Sequence, residues 1–308
     1  MRKQVEEAVE LLRRGDDVGL EQALGLLQDT VFSFSMRVCG QREDAEDTMQ
    51  EVLVKSMPHL PKFESPKALV VWLYKVAKNR CLMSRRRSKF APKEELSLEE
   101  LMPDRKELEQ LTTGESINPE AFAIRSEQAG RLRAAIQKLP PQYRIVLVMR
   151  DMEGLTDEEV AEITGLRAGT VRVRLHRARL FVRKELMKSW KADGIPHIGR
   201  HSKRTPFPPI GKERERVGRP QSGSCKAMFA ELSEYLDERL DDSMCEEMEK
   251  HMSGCEPCQA FVASLEATIE ELRKTAAEVP ARKVAKRLRQ QLREDYAQAM
   301  AKVESYRR

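Results

Sequence analysis

Apolar and polar residues alternate along this chain with the period of an α-helix, and almost nowhere with the two-residue period of a strand. From Glu43 to Met57 (EDAEDTMQEVLVKSM), Ala45, Met49, Val52 and Leu53 fall on one side of a helix that Pro58 and Pro61 end. Ala68 to Arg87 forms another helix, apolar at its front and strongly basic at its rear. The sharpest local signal runs from Thr156 to Arg179 (TDEEVAEITGLRAGTVRVRLHRAR). Thr156 and Glu159 have the spacing of a capping box, in which each side chain satisfies a backbone N–H at the helix start. Val160, Ala161 and Ile163 give this first helix an apolar side, Gly165 ends it, and Leu166 plugs the corner. A second helix opens at Gly169 and Thr170, with Val171, Leu175 and Ala178 on one face. Rotation about that helix points Arg172, Val173, His176 and Arg177 outward. Two short helices, a tight turn and a basic second helix predict a helix-turn-helix whose second helix enters a DNA major groove.

Composition divides this helical pattern into pieces. Residues 1–87 read as one helical domain. Residues 88–120, rich in Glu, Lys, Ser, Pro and Gly without a sustained period, read as a linker. A second helical domain covers 121–190 and contains the helix-turn-helix, and a Pro-, Gly- and base-rich linker covers 191–224. A small acidic unit follows over 225–275. The tail, 276–308, is a basic helix with Val284, Leu288, Leu292 and Tyr296 at steps of four. At 308 residues two or three small domains are expected, and the fold class is all-α.

The net charge of +5 is modest, so its distribution matters more than its sum. Beyond the second helix of the motif the basic run continues through Arg183, Lys184, Lys188 and Lys191, interrupted only by Glu185. A DNA duplex, with about one negative charge per 1.7 Å of axis, is the obvious partner. The amphipathic N-terminus is not a signal peptide, and the apolar run Ala68–Leu73 is far too short to span a bilayer. No membrane association and a cytoplasmic location are therefore expected. In a reducing compartment the six cysteines point to metal rather than to disulfides, with Cys39 and Cys81 filling core positions. No HExxH, nucleophile elbow or phosphate loop is present, and an enzyme is not expected.

His251, Cys255 and Cys258 form an HxxxCxxC cluster, three ligands that suit tetrahedral Zn2+. Cys225 is the expected fourth ligand. Cys245 is its rival, but it lies on the helix of His251 six residues earlier and faces another direction. Four protein ligands make the zinc structural, with no open position for water.

The helix EDAEDTMQEV, the loop ending at Phe63, the run WLYKVAKNRC and the following RRR resemble region 2 of a sigma factor. The block LPPQYRIVLVMRDMEGLTDEEVAEITGLRAGTVRVRLHRAR resembles region 4, and the presence of just these two regions resembles the extracytoplasmic-function group. The HxxxCxxC segment is similar to the zinc-binding anti-sigma domain. The resemblance implies core RNA polymerase and promoter DNA as partners. It places Asp44, Asp47, Gln50 and Glu51 against the polymerase clamp. Phe63 and Asn79 would hold a flipped base of the minus-ten element, by stacking and by hydrogen bonds to the base edge. Lys75, Lys78, Arg80 and the run Arg85, Arg86 and Arg87 would bind phosphates of the melting duplex. Trp72 is assigned to the core and Tyr74 to the helix surface. In region 4, Arg172 and Arg177 are the foremost contacts to the minus-thirty-five element, with Val173, His176 and Arg179 beside them. The acidic zinc domain, tethered by residues 191–224, would fold back on the basic sigma surfaces. The alternative is a stand-alone helix-turn-helix regulator with a metal- or redox-sensing tail, which would not need Phe63, Asn79 or the EDAED helix.

Overall fold

A computed structural model of the chain describes residues 2–14, 16–63, 65–84, 95–104, 107–108, 125–192, 229, 232–237, 239–253, 255–275 and 286–307. Every regular element among them is helical, as the periodicity requires. In chain order these are α1 (Arg2–Arg14), α2 (Asp17–Cys39), α3 (Arg42–Ser56), a 3-10 turn (Met57–Lys62) and α4 (Pro66–Ser84). There follow α5 (Leu98–Leu101), α6 (Arg125–Lys138), α7 (Pro141–Leu147) with a π-turn (Val148–Met152), α8 (Asp157–Thr164) and α9 (Ala168–Ala192). The last are α10 (Asp242–Ser253), α11 (Glu256–Lys274) and α12 (Lys286–Arg307). The chain divides into two units, one of Met1–Lys93, Arg144–Val171 and Thr275–Arg308, the other of Glu94–Tyr143 and Arg172–Lys274.

In the first unit, α1 to α4 pack around Leu27, Phe32, Phe34, Met49, Leu53, Met57, Leu69 and Leu73, all fully buried. The corner between α1 and α2 is tight. Asp16 caps α2 by accepting from the Gly19 N–H, and a Cβ on Gly19 would stand 2.7 Å from the Leu11 carbonyl oxygen. As expected, α3 stops where Pro58 and Pro61 begin, and the chain tightens into the 3-10 turn that delivers Phe63. Cys39 and Cys81 are buried, but they form a disulfide, against the expectation that the cysteines would serve metal rather than pair. Packing of α2 on α4 brings their Cα atoms to 5.5 Å, within the span a disulfide bridges, although they lie 42 residues apart in sequence.

The tail helix α12 also belongs to this unit. It buries Leu292, Tyr296 and Ala299 and packs on the 3-10 turn and on α3, while Arg289 and Arg293 both pair with Glu21. Leu288 is half-buried, and Val284 lies outside the described residues.

In the second unit, Leu180 and Met187 of α9 share a core with Phe229, Leu232, Met248 and Met252, and with Phe261, Val262, Leu265 and Ile269 of α11. Leu101 and Met102, from the stretch read as a linker, join the same core. The single turn α5 is too short to show a helical period in sequence, yet its apolar side has a core to enter. Most of residues 191–224, read as the second linker, lies outside the described residues. No described helix is long and apolar enough to cross a membrane.

Candidate DNA-reading surfaces and metal cluster

Phe63 ends the 3-10 turn with extended backbone, its N–H donating to the Leu60 carbonyl at 3.3 Å. Its ring stands edge-on to Trp72 at 5.9 Å, and the His59 ring lies 5.7 Å from the indole at a tilt. Trp72 is half-exposed beside these two rings, whereas Tyr74 is buried and donates to Glu153 Oε2 at 2.6 Å. This reverses the sequence assignment of the two aromatics, because the helix turns Tyr74 toward Phe34 and the interior. His59 is the aromatic neighbour that the sequence did not point to, and Trp72, expected in the core, stands beside Phe63 instead. Their signal was a cluster of rings around Phe63, visible only once the 3-10 turn folds back on α4.

Along α4, Lys75 and Asn79 are exposed and available to a ligand. Arg80 pairs with Glu51 at 2.7 Å, and Glu51 also accepts from Lys55 at 2.6 Å. A residue expected on the polymerase face and one expected on DNA therefore neutralise each other. Lys78 is buried and donates to the Ile163 carbonyl at 2.8 Å; burial, then the neighbouring Lys75, push its pKa down. Arg85, Arg86 and Arg87 lie outside the described residues. On α3, Asp47 and Gln50 are exposed, and Asp44 and Glu51 half-buried, on one polar face.

The helix-turn-helix follows its sequence signals closely. Thr156 accepts from the Glu159 N–H at 3.2 Å and Glu159 accepts from the Thr156 N–H at 2.9 Å, completing the capping box. Gly165 closes α8 in the left-handed region at φ 73°, where a side chain would be strained, and Leu166 is half-buried at the corner. Val171, Leu175 and Ala178 are fully buried along α9.

On the other side of α9 the outward set divides. Val173 is 51 % exposed. Arg172 is exposed and pairs loosely with Glu234 at 3.4 Å, while Arg177 is half-buried. His176 does not face solvent, contrary to the helical rotation read from sequence, and Arg179, expected beside it on DNA, is enclosed as well. His176 Nδ1 is 2.6 Å from Ser233 Oγ, and both guanidinium nitrogens of Arg179 donate to Asp237, each at 3.0 Å. Arg179 is completely buried. Burial, then the charges of Arg179 and Arg177, push the His176 imidazole down to about 4, so it is neutral here. One turn further on, Arg183 donates to Ser264 at 2.6 Å and to Glu107 at 2.9 Å, with its guanidinium 3.9 Å from the Phe261 ring centre. A helical wheel identifies what leaves the local core. It cannot identify what a segment more than 50 residues away lays over it.

His251, Cys255 and Cys258 converge where α10 ends and α11 begins, with their ligand atoms all within 4.8 Å of one another. The Cys258 sulfur lies 3.6 Å from His251 Nε2, close to the roughly 3.5 Å expected of a tetrahedral zinc edge with bonds of about 2.0 and 2.3 Å. The two sulfurs are 3.2 Å apart, a little under the roughly 3.7 Å of such an edge. The donor set and its spacing fit zinc. Cys245 stands apart from the cluster, its thiol 3.8 Å from the Leu240 carbonyl oxygen, and Cys225 lies outside the described residues.

A capped helix-turn-helix, a second basic helical module with an aromatic loop, and a His–Cys–Cys cluster define a two-module DNA reader with a metal-binding appendage. Residues 25–90 match the family Sigma-70 region 2, residues 129–182 match Sigma-70, region 4, and residues 225–259 match a zinc-finger family. The chain is 30 % identical over 165 residues to RNA polymerase sigma factor YlaC of Bacillus subtilis, covering 54 % of this chain and 90 % of that one. It is 25 % identical over 186 residues to ECF RNA polymerase sigma factor SigW of the same organism, covering 60 % and 98 % respectively. With ECF RNA polymerase sigma factor SigE of Mycolicibacterium smegmatis it shares 33 % identity over 161 residues, or 52 % of this chain and 58 % of that one. The chain belongs to the RNA polymerase sigma factors of the extracytoplasmic-function type, with a fused anti-sigma-like zinc-finger domain. Promoter recognition and transcription initiation are its function.

Proposed function

We propose that this sigma factor works in the cytoplasm and is held in check by its own C-terminal domain. Asp44, Asp47, Gln50 and Glu51 would dock on the polymerase clamp. Phe63, with Trp72 beside it, would stack on a flipped base of the minus-ten element while Asn79 reads its edge. Lys75, Lys78, Arg80, Arg85 and Arg86 would hold the adjoining phosphates. Arg172, Val173, His176, Arg177 and Arg179 would meet the minus-thirty-five element in the major groove.

The observation that carries the regulatory half is the bidentate Arg179–Asp237 pair with its guanidinium fully buried. A side chain meant for DNA cannot reach a base while it is enclosed by an acidic segment. Zinc held by His251, Cys255 and Cys258, with Cys225 as the fourth ligand, would cross-link the end of α10 to the start of α11. α11 supplies Phe261 and Ser264 to Arg183, so losing the metal by chelation or thiol oxidation would loosen the grip on α9.

Run-off transcription with purified core polymerase tests both halves. Initiation from a defined promoter only when the protein is added supports the sigma assignment; tight operator binding without any effect on core polymerase supports a stand-alone regulator. Deleting residues 225–308 should raise promoter-specific transcription, and unchanged or lower activity would count against self-inhibition.

A further inference from the structure

The stretch between the two promoter-reading modules, a linker by composition, has local structure of its own. The single turn α5 sets Leu98, Leu101 and Met102 on one side, at steps of three and four. After the buried Pro103, Asp104 accepts from the Glu107 N–H at 2.7 Å and its carbonyl accepts from the Leu108 N–H at 3.0 Å. Asp104 thus caps a second turn and fixes where Glu107 stands. Across residues 95–108 five acids face two bases, with large apolar residues between them. A solvated tether needs no such anchors, since Gly- and Ser-rich chain spans a gap without them.

The anchors enter the seam between α9 and α11. Leu101 and Met102 are buried in the core that those helices share, and Leu96, Leu98 and Leu108 pack against it. Polar contacts hold the stretch along its length. The Leu96 N–H donates to the hydroxyl of buried Tyr143 at 3.1 Å, and Lys184 of α9 donates to the Glu100 carbonyl. Glu107 accepts from Arg183 of α9 at 2.9 Å, where the arginine side chain is 1 % exposed. The other contacts of that guanidinium, Ser264 and the Phe261 ring, come from α11. Arg183 therefore belongs to α9, lies against α11 and is neutralised by the connector.

We propose that the seam between α9 and α11 is a binding surface for an acidic, leucine-bearing segment, and that its occupant is residues 96–108 of this same chain. The connector straps the zinc-domain helix onto the recognition helix. Withdrawing it would expose the apolar seam and leave the Arg183 charge buried without its carboxylate, which is strongly unfavourable. Parting α11 from α9 would in turn strip Leu101 and Met102 of their core. The two events are coupled, and the coupling is reciprocal: whatever draws the connector out also weakens the hold of the acidic segment on Arg179. Release of the recognition helix is then governed by the connector as well as by the metal cluster.

The consequence for DNA rests on the self-inhibition reading, whereas the strap itself is tested by amide hydrogen exchange of the full-length chain, read by mass spectrometry. In the parent, residues 96–102 and α11 should exchange slowly. In the double variant Leu98→Ser with Leu101→Ser, exchange across residues 261–269 should quicken about tenfold, while α2 and α4 keep the parental rate. Glu107→Gln, at a side chain 18 % exposed, should act in the same direction to a smaller extent, and it decides alone where the double variant does not fold. Fast exchange of residues 96–102 in the parent overturns the strap, as does parental exchange of α11 in the folded variants. Binding of a fluorescently labelled mixed-sequence duplex at low salt then separates the two readings, because phosphate contacts do not depend on sequence. Faster exchange with about tenfold tighter duplex binding supports both. Faster exchange with parental duplex affinity, in the connector variants and in Asp237→Ala, keeps the strap and removes self-inhibition. Parental exchange in the connector variants with tighter binding in Asp237→Ala removes the strap and keeps self-inhibition.

Discussion

Replacing Asp237 by Ala removes the carboxylate that receives both guanidinium nitrogens of Arg179. The arginine side chain is 0 % exposed and the aspartate 9 %, so the charge left behind stays out of water as long as the acidic segment remains on α9. Breaking a buried pair by removing one partner costs about 3–5 kcal/mol. Arg273 also lies 3.9 Å from Asp237, which places the pair near the edge of the interface and favours the lower end. About 3 kcal/mol, at about 1.4 kcal/mol per factor of ten, shifts the covered-to-uncovered ratio of α9 roughly 100-fold. Apparent affinity for DNA scales with the fraction of protein in the competent state. Full-length Asp237→Ala should therefore bind a fluorescently labelled minus-thirty-five duplex up to 100-fold more tightly than the parent, as read by anisotropy at fixed salt. Asp237→Asn, which keeps one acceptor, should fall between the two. An affinity within twofold of the parent, in an Asp237→Ala protein that still melts cooperatively, would refute the idea that this pair holds the recognition helix shut.

The covered state should also depend on pH through His176, which faces Ser233, Arg177, Arg179 and the Phe229 backbone. Its pKa falls from an ordinary 6.5 to about 4 when covered, so the covered state binds fewer protons. That stabilisation is fully present above pH 6.5 and is lost as pH falls from 6.5 toward 4. Going from pH 7.5 to 5.5 should raise the uncovered fraction about tenfold, and His176→Gln should flatten that response; a pH-independent parent would contradict it. The Cys39–Cys81 bridge, spanning 42 residues, constrains the unfolded chain by about 4 kcal/mol on a chain-entropy estimate. Reductant, or Cys39→Ser with Cys81→Ser, should lower the thermal midpoint of full-length protein by several degrees, and an unchanged midpoint would argue against the bridge. Chelation, or Cys258→Ser, should release zinc, measurable by elemental analysis, and increase proteolytic cleavage within α11; a zinc content equal to that of the parent would remove Cys258 from the ligand set.

How much was legible before folding differs from site to site. The capping box of Thr156 and Glu159, the Gly165 turn and the Val171–Leu175–Ala178 face were all readable, because each depends on residues within one or two helical turns. The HxxxCxxC cluster was readable for the same reason: a helix end and the next helix start bring ligands seven residues apart together. Tyr74 and Trp72 were exchanged because α4 is apolar around much of its circumference, and only the positions of α2 and of the 3-10 turn decide which side is inside.

By itself, then, the sequence determined α3, α4 and the helix-turn-helix with its capping box, the order of the modules and the chemistry each one carries, since backbone hydrogen bonding and side-chain period are local properties. Tertiary structure alone decided which of those chemical groups are available. Cys39 meets Cys81, Lys78 caps α8, Glu153 joins Arg37 to Tyr74, and Asp237 encloses Arg179. Each pairing crosses 40 residues or more, and a charged side chain carries no mark of whether its partner will be water, DNA or another part of its own chain. The desolvation that settles the choice exists only once the distant segments have packed.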